Sequence, residues 1–200
     1  MLGYTLKGTS GARTNRSLFL RKQFCAPNPT YDSKHEAHLS YYRKNSLYLN
    51  QILYCHIIYG MRYVLDTDVV VSAMRSPTGA SAALLLHALD GLFVLVANVP
   101  LVVEYEATCS LAEHRKAAGL NEKQVGQFLD AIAALVEPVP THFLWRPRLR
   151  DASDEMVLEA AVNGNADAIV TFNLRDYGNI PNTFGIEVLK PSEALKRIKQ

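Results

Sequence analysis

From Arg62 to the end of the chain, short apolar runs alternate with stretches of helical period, the pattern of an α/β fold built on a parallel sheet. Tyr63 to Asp66 is predicted as the first strand, followed by a helical turn over Val69 to Met74. A break at Ser76-Pro77-Thr78-Gly79 then leads into a helix from Ala80 to Leu89, which Gly91 ends. Phe93 to Ala97 is the second strand, and Asn98 with Pro100 announces the next helix. That helix keeps Leu101, Val102, Tyr105 and Cys109 on one face and is predicted to run to Gly119. Asn121 and Gln124 form a capping-box pattern ahead of an amphipathic stripe through Val125, Phe128, Leu129, Ile132, Leu135 and Val136. These two helices are expected to pack as an antiparallel hairpin.

The remaining elements are shorter. Val136 to Val139 is a third strand and Thr141 to Arg150 a loop. Ser153 caps a helix with Val157, Leu158, Ala161 and Val162 facing inward. Ala168 to Thr171 and Ile186 to Leu189 are the fourth and fifth strands. Pro191-Ser192 opens a last helix, whose Lys196, Arg197 and Lys199 suit the negative end of its dipole.

Residues 1–60 do not share this pattern. They hold eight Lys or Arg against two acids, a net of +6, whereas residues 61–200 hold 13 against 17, a net of −4. Seven of the ten tyrosines also precede Met61, and neither a period-2 nor a sustained 3.6-residue stripe runs through the segment. The expectation is a poorly structured or non-native extension over 1–60 and one domain over 61–200. Ser17-Leu18-Phe19-Leu20 is too short for a signal sequence, and Gln51 to Tyr59 falls well below the roughly 20 apolar residues that span a bilayer. A cytoplasmic protein with no membrane partner is expected. Cys25, Cys55 and Cys109 show no metal-ligand spacing and no disulfide framework.

Acidic residues recur where the predicted strands end or helices begin. Asp66 and Asp68 follow strand one, Glu104 lies early in the helix after strand two, Asp154 opens a later helix, and Asn173 and Asp176 follow strand four. A parallel sheet brings such positions to one edge. Carboxylates gathered there cannot all stay ionised unless positive charge sits among them, which points to a hard divalent cation and to metal-assisted chemistry on a phosphate. Each residue also has an ordinary role: a strand-end turn for Asp66, a solvated helix position for Glu104, an Asx turn for Asn173 and Asp176, and a dipole partner for Asp154. Asp151 and Glu155 are read as dipole partners only. His87, His114 and His142 are scattered and read as structural or exposed, and Cys109 as core.

Leu-Asp66-Thr67-Asp68-Val-Val-Val-Ser72-Ala, Val-Val-Glu104, Asp151-Ala-Ser-Asp154-Glu155 and Ile-Val-Thr171-Phe-Asn173-Leu-Arg-Asp176 occur in an order that resembles the PIN-domain nucleases, most closely those of bacterial toxin–antitoxin systems. The likeness covers residues 61–200. It implies a three-layer α/β/α sandwich with a central, mainly parallel sheet of about five strands, as in that family. It also implies an endoribonuclease that holds Mg²⁺ or Mn²⁺ on Asp66, Glu104 and Asp154, with Asn173 and Asp176 as further ligands. Thr67, Asp68 and Thr171 then orient the carboxylates. Asn173 stands where relatives often have an acid, and Asp68 where many have Asn. Arg146, Arg148, Arg150 and Arg175 are candidates for the RNA backbone, and Trp145 for stacking a base. The implied partners are an RNA substrate, a cognate antitoxin and a second copy of the chain, with residues 100–136 as a candidate partner face.

Two phosphatase-like alternatives fail on order. Asp66-Thr67-Asp68 also fits the nucleophile motif of haloacid-dehalogenase-like phosphatases, but no acid pair follows Lys190. A receiver domain requires an aspartate after strand three, where Val139-Pro140 stands. A PIN-like scaffold that binds RNA or protein without cutting is the non-enzymatic alternative.

Overall fold

The computed structural model describes residues 60–140, 142, 149 and 154–198. Five parallel strands form the sheet in the order β3-β2-β1-β4-β5: β1 Arg62–Leu65, β2 Val94–Ala97, β3 Glu137–Pro138, β4 Ala168–Val170 and β5 Glu187–Leu189. Tyr63, Val64 and Leu65 pair with Ala168, Ile169 and Val170, so Asp66 and Thr171 leave the sheet side by side. The chain winds from β1 outward to β3 on one side, and outward through β4 and β5 on the other. The order therefore reverses between β1 and β4, where the crossover helices diverge and a crevice opens beyond the carboxyl ends of the strands.

Helices cover the sheet as the apolar pattern requires. The strands β1 and β4 are buried almost throughout, as expected of a sheet packed on both faces. Helix α1 (Thr67–Arg75) follows β1 and buries Val69, Val70, Ala73 and Met74. It packs on α2 (Ala80–Leu89) and on α3 (Val99–Cys109), which buries Leu101, Tyr105 and Cys109. Helix α4 (Ala112–Ala117) leads to α5 (Glu122–Leu135), with Val125, Phe128, Ala131 and Ile132 inward. Helix α6 (Glu155–Asn163) lies across β1, β2 and β4. A short α7 (Leu174–Tyr177) and a 3-10 turn (Pro181–Phe184) separate β4 from β5, and α8 (Pro191–Ile198) packs on α2.

The expected fold class and five strands are present, with three differences. The helix expected from Asn98 to Gly119 breaks at Ser110-Leu111 into α3 and α4. Its buried stripe ends at Cys109 and α4 buries nothing, so no packing holds the two pieces in line. The third strand shrinks to the exposed pair Glu137-Pro138 at the sheet edge, with Val139 N–H still bonded to Ala97 O at 2.9 Å. Finally, α7 and the 3-10 turn lie between β4 and β5, where the sequence pattern assigned no element. The Asn121–Gln124 capping box forms in both directions.

Residues 1–59 lie outside the described residues, as do Trp145, Arg146, Arg148, Arg150, Asp151 and Ser153. The expectations placed on them are not addressed by the structure. Among the described residues, no single helix is long and apolar enough to cross a membrane.

Candidate functional site

Asp66 ends β1 and caps α1. Its extended backbone lets one carboxylate oxygen, Oδ1, accept the Thr67 N–H at 2.7 Å, satisfying a donor that the helix start leaves free. The other oxygen accepts the Tyr177 hydroxyl at 2.9 Å. The backbone N–H of Asp66 continues the ladder to Val170 O at 2.9 Å, which fixes the residue at the β1–β4 reversal. Asp66 is buried, and burial is the main force raising its pKa. The Thr171 and Tyr177 hydroxyls and the Thr67 N–H oppose that rise, while the charge of Asp176 adds to it.

Asp68 reaches across the same gap. Its Oδ2 accepts the Phe172 N–H at 2.9 Å and the Thr171 hydroxyl at 3.3 Å, whereas its Oδ1 is buried with no hydrogen-bond partner among the described residues. Burial first, and then the charge of Asp66, push its carboxyl up to about 6. Thr171, fully buried after β4, thus serves the acids on β1's exit and also accepts the Asn173 N–H at 2.9 Å.

Tyr177 is the centre of this arrangement, and nothing in the local sequence marks it out. It is fully buried, and burial together with the negative charges of Asp66, Asp154 and Asp68 keeps its hydroxyl protonated. Asp154 occupies the cap position of α6 without a side-chain capping bond. Tyr105, also buried and kept protonated chiefly by burial, donates its hydroxyl to the last carbonyl of β1, Leu65 O. Its helical period alone assigned it to the core, and its polar end proves to brace the strand that carries Asp66.

Glu104 sits farther round. It lies half-buried on α3, accepts the Thr108 hydroxyl at 2.8 Å, and lines a groove together with Asp68 and Thr67. Ser72 and Arg75 of α1 and His114 of α4 line the same groove, which has a volume of about 660 Å³. Asn173 is exposed and its amide nitrogen donates to Asp176. Arg175 is exposed on the same short helix. Glu155, expected only to complement the dipole of α6, is buried and accepts the Leu149 N–H at 2.6 Å, so it ties the preceding segment to the helix.

The donors are hard carboxylate oxygens, one of them a buried orphan, and two of the acids are raised by burial and by a neighbouring charge, Asp66 by Asp176 and Asp68 by Asp66. A divalent cation suits that chemistry. Among the described residues, however, no three His, Cys, Asp or Glu side chains converge closely enough to hold an ion. Asp66 is bonded to Tyr177 and Asp68 to Thr171 and Phe172, Glu104 lines the groove that Asp68 also lines, and Asn173 and Asp176 turn toward one another.

Comparison with known proteins agrees with this topology. No curated protein and no solved structure matches the chain. The family model described as PIN domain does match, over residues 62–175, from the first residue of β1 to the helix that carries Tyr177. That span includes both sides of the β1–β4 reversal and Asp66, Asp68, Glu104 and Asp154, with Asp176 just beyond it, and PIN domains are generally metal-using nucleases. This chain therefore belongs to the PIN domain family.

Proposed function

We propose that the chain is a metal-dependent endoribonuclease that hydrolyses RNA phosphodiester bonds, with residues 61–200 as the nuclease unit. The observation that carries this reading is the acidic edge at the β1–β4 reversal, where partly buried Asp68 keeps one buried carboxylate oxygen, Oδ1, without a hydrogen-bond partner among the described residues, next to the charge of Asp66. An uncompensated buried carboxylate is unfavourable in a purely structural role and is relieved when a cation binds.

On this reading Asp66, Glu104 and Asp154 hold Mg²⁺ or Mn²⁺, with Asp68 Oδ1 facing it and Asn173 and Asp176 at its margin. Bound there, the ion would polarise the scissile phosphate and lower the pKa of the attacking water. The protein's own part is orientation. Thr67 N–H and the Tyr177 hydroxyl fix the two oxygens of Asp66, and Phe172 N–H and the Thr171 hydroxyl fix one oxygen of Asp68. Both acids are thereby aimed before a substrate arrives. Arg175 is offered to the RNA backbone, and the same role is assigned to Arg146, Arg148 and Arg150.

We further propose a type II toxin role, with an antitoxin and a second copy of the chain as partners. Val99 and Val103, one turn apart on α3, are 73% and 57% exposed, which supports an apolar contact surface within residues 100–136 and just before it. The observation favouring a non-catalytic scaffold is the Asn173–Asp176 pair, whose polar groups are engaged with each other.

Cleavage of a labelled single-stranded RNA with Mg²⁺ or Mn²⁺ tests the reading. Wild type is expected to cut, and Asp66→Asn to lose roughly 100-fold or more in rate while still binding RNA. Absence of cleavage by wild type with either ion would leave the scaffold.

A further inference from the structure

We propose that the groove between α1 and the α3–α4 pair is the track on which the RNA strand lies beside the cut, with Arg75 holding a phosphate at its far end. This rests on the nuclease reading above. Thr67 and Asp68, Val71 and Ser72, and Arg75 and Ser76 line the groove at the four-residue spacing of one face of α1. The groove therefore runs along the helix from the acidic edge to Arg75, seven residues and about 10 Å of helical rise from Asp68. Glu104 and His114 line the opposite wall.

The charge pattern suits a polyanion entering an acidic site. Arg62, Arg115 and Arg197 are each paired with a carboxylate: Glu137, Glu122 and Glu187. Arg75 is exposed and has no hydrogen bond or ion pair among the described residues, although Glu104 lines the same groove. A cation in the last turn of a helix is favourable in itself. That explains a positive residue at this position but not its opening into a polar groove that leads to the acids. The Ser72 hydroxyl and the His114 imidazole add hydrogen-bonding groups along the floor and wall, suited to ribose and phosphate oxygens. A planar guanidinium meets a phosphate with two parallel N–H donors, and the fixed distance to Asp68 sets which linkage faces the acids.

The test is binding of the full chain to a labelled single-stranded RNA in chelator, measured by fluorescence anisotropy over a salt series, together with cleavage kinetics in Mn²⁺. Arg75→Ala is expected to weaken binding several-fold and to flatten the slope of log K against log salt by about 0.7, the share of one phosphate contact on a single strand. It should raise KM with little change in kcat, and Arg75→Lys should restore the slope. Lys196→Ala, an equal loss of charge on α8, should leave the slope and KM as in wild type. If Arg75→Ala behaves like Lys196→Ala while wild type cuts RNA, the groove is overturned and the nuclease reading stands. If Arg75 governs the slope but wild type cuts nothing, the track stands and the nuclease reading falls.

Discussion

The charge state of Asp68 couples the stability of the fold to pH. Its carboxyl titrates at about 6 in the folded chain against an ordinary 3.8, so between those values the folded state holds a proton that the unfolded state has lost. Stability contributed by this group is therefore present at low pH, falls as pH rises through that window, and is fully lost above it. Because the group is only partly buried, screening reduces the penalty to about 1–2 kcal/mol. Asp68→Asn keeps an acceptor for the Phe172 N–H and removes the charge. In chelator at neutral pH it is expected to raise Tm by roughly 3–6 °C, a gain that shrinks toward about pH 4. Thermal melts across pH check this, and an unchanged or lowered Tm at neutral pH would show that the carboxylate is not penalised. Tyr177→Phe is the complementary test, because it deletes only the hydroxyl on Asp66. It should cost about 1 kcal/mol and lower kcat roughly 10- to 100-fold with KM nearly unchanged, as loss of a group that orients a ligand does. The two residues differ in how far the sequence exposes them. Asp66 and Asp68 stand directly after an apolar run and announce themselves. Tyr177 lies 111 positions from Asp66 and meets it only because β4 pairs beside β1.

Elements follow the sequence where local chemistry decides them and depart from it where packing does. The capping box of α5 is purely local. The Asn121 side chain accepts the Gln124 N–H at 2.9 Å and the Gln124 side chain accepts the Asn121 N–H at 2.9 Å, so both were readable from two residues. Asn121→Ala is expected to cost about 1 kcal/mol by urea unfolding, with no change in the m value. The break between α3 and α4 was not readable, since every residue from Val99 to Ala117 apart from Pro100 can enter a helix and only the end of burial at Cys109 permits the turn. Glu155 shows a similar limit: an acid in a first helical turn is favourable exposed or buried, and its bond to Leu149 N–H is tertiary. Gly164, beyond α6, also gains its importance from packing. A Cβ there would lie 2.7 Å from Ala160 O and 2.9 Å from Val139 Cγ2, and its carbonyl accepts the Arg62 side chain at 2.8 Å. Gly164→Ala should destabilise by about 1–3 kcal/mol, because backbone and a neighbouring strand must move. A neutral substitution would mean that α6 slides freely on β2 and β3.

For the whole molecule, the strand order matters most, because the pairing of β1 with β4 sets Asp66, Asp68 and Thr171 side by side at one edge of the sheet. That order was expected only in outline, as alternating apolar runs specify parallel strands but not which of them are neighbours. Its energetic consequence is a linkage between ion binding and folding. Asp66 and Asp68 are raised by burial and by neighbouring charge, so the fold bears a penalty that, on the proposed function, a bound cation would remove. Mn²⁺ at a hundredfold excess over its Kd should then stabilise the chain by about 2.7 kcal/mol, or roughly 5–10 °C in Tm. Asp68→Asn should reverse its rank: more stable than wild type in chelator, yet gaining less from Mn²⁺, so that the two Tm curves approach or cross as the ion is added. Glu104→Gln should lose part of the Mn²⁺ increment while leaving the chelator Tm near wild type, since its carboxylate lines the groove outside the buried pair. Equal Mn²⁺ shifts in wild type and both variants would place the ion elsewhere on the molecule and detach the acidic edge from catalysis.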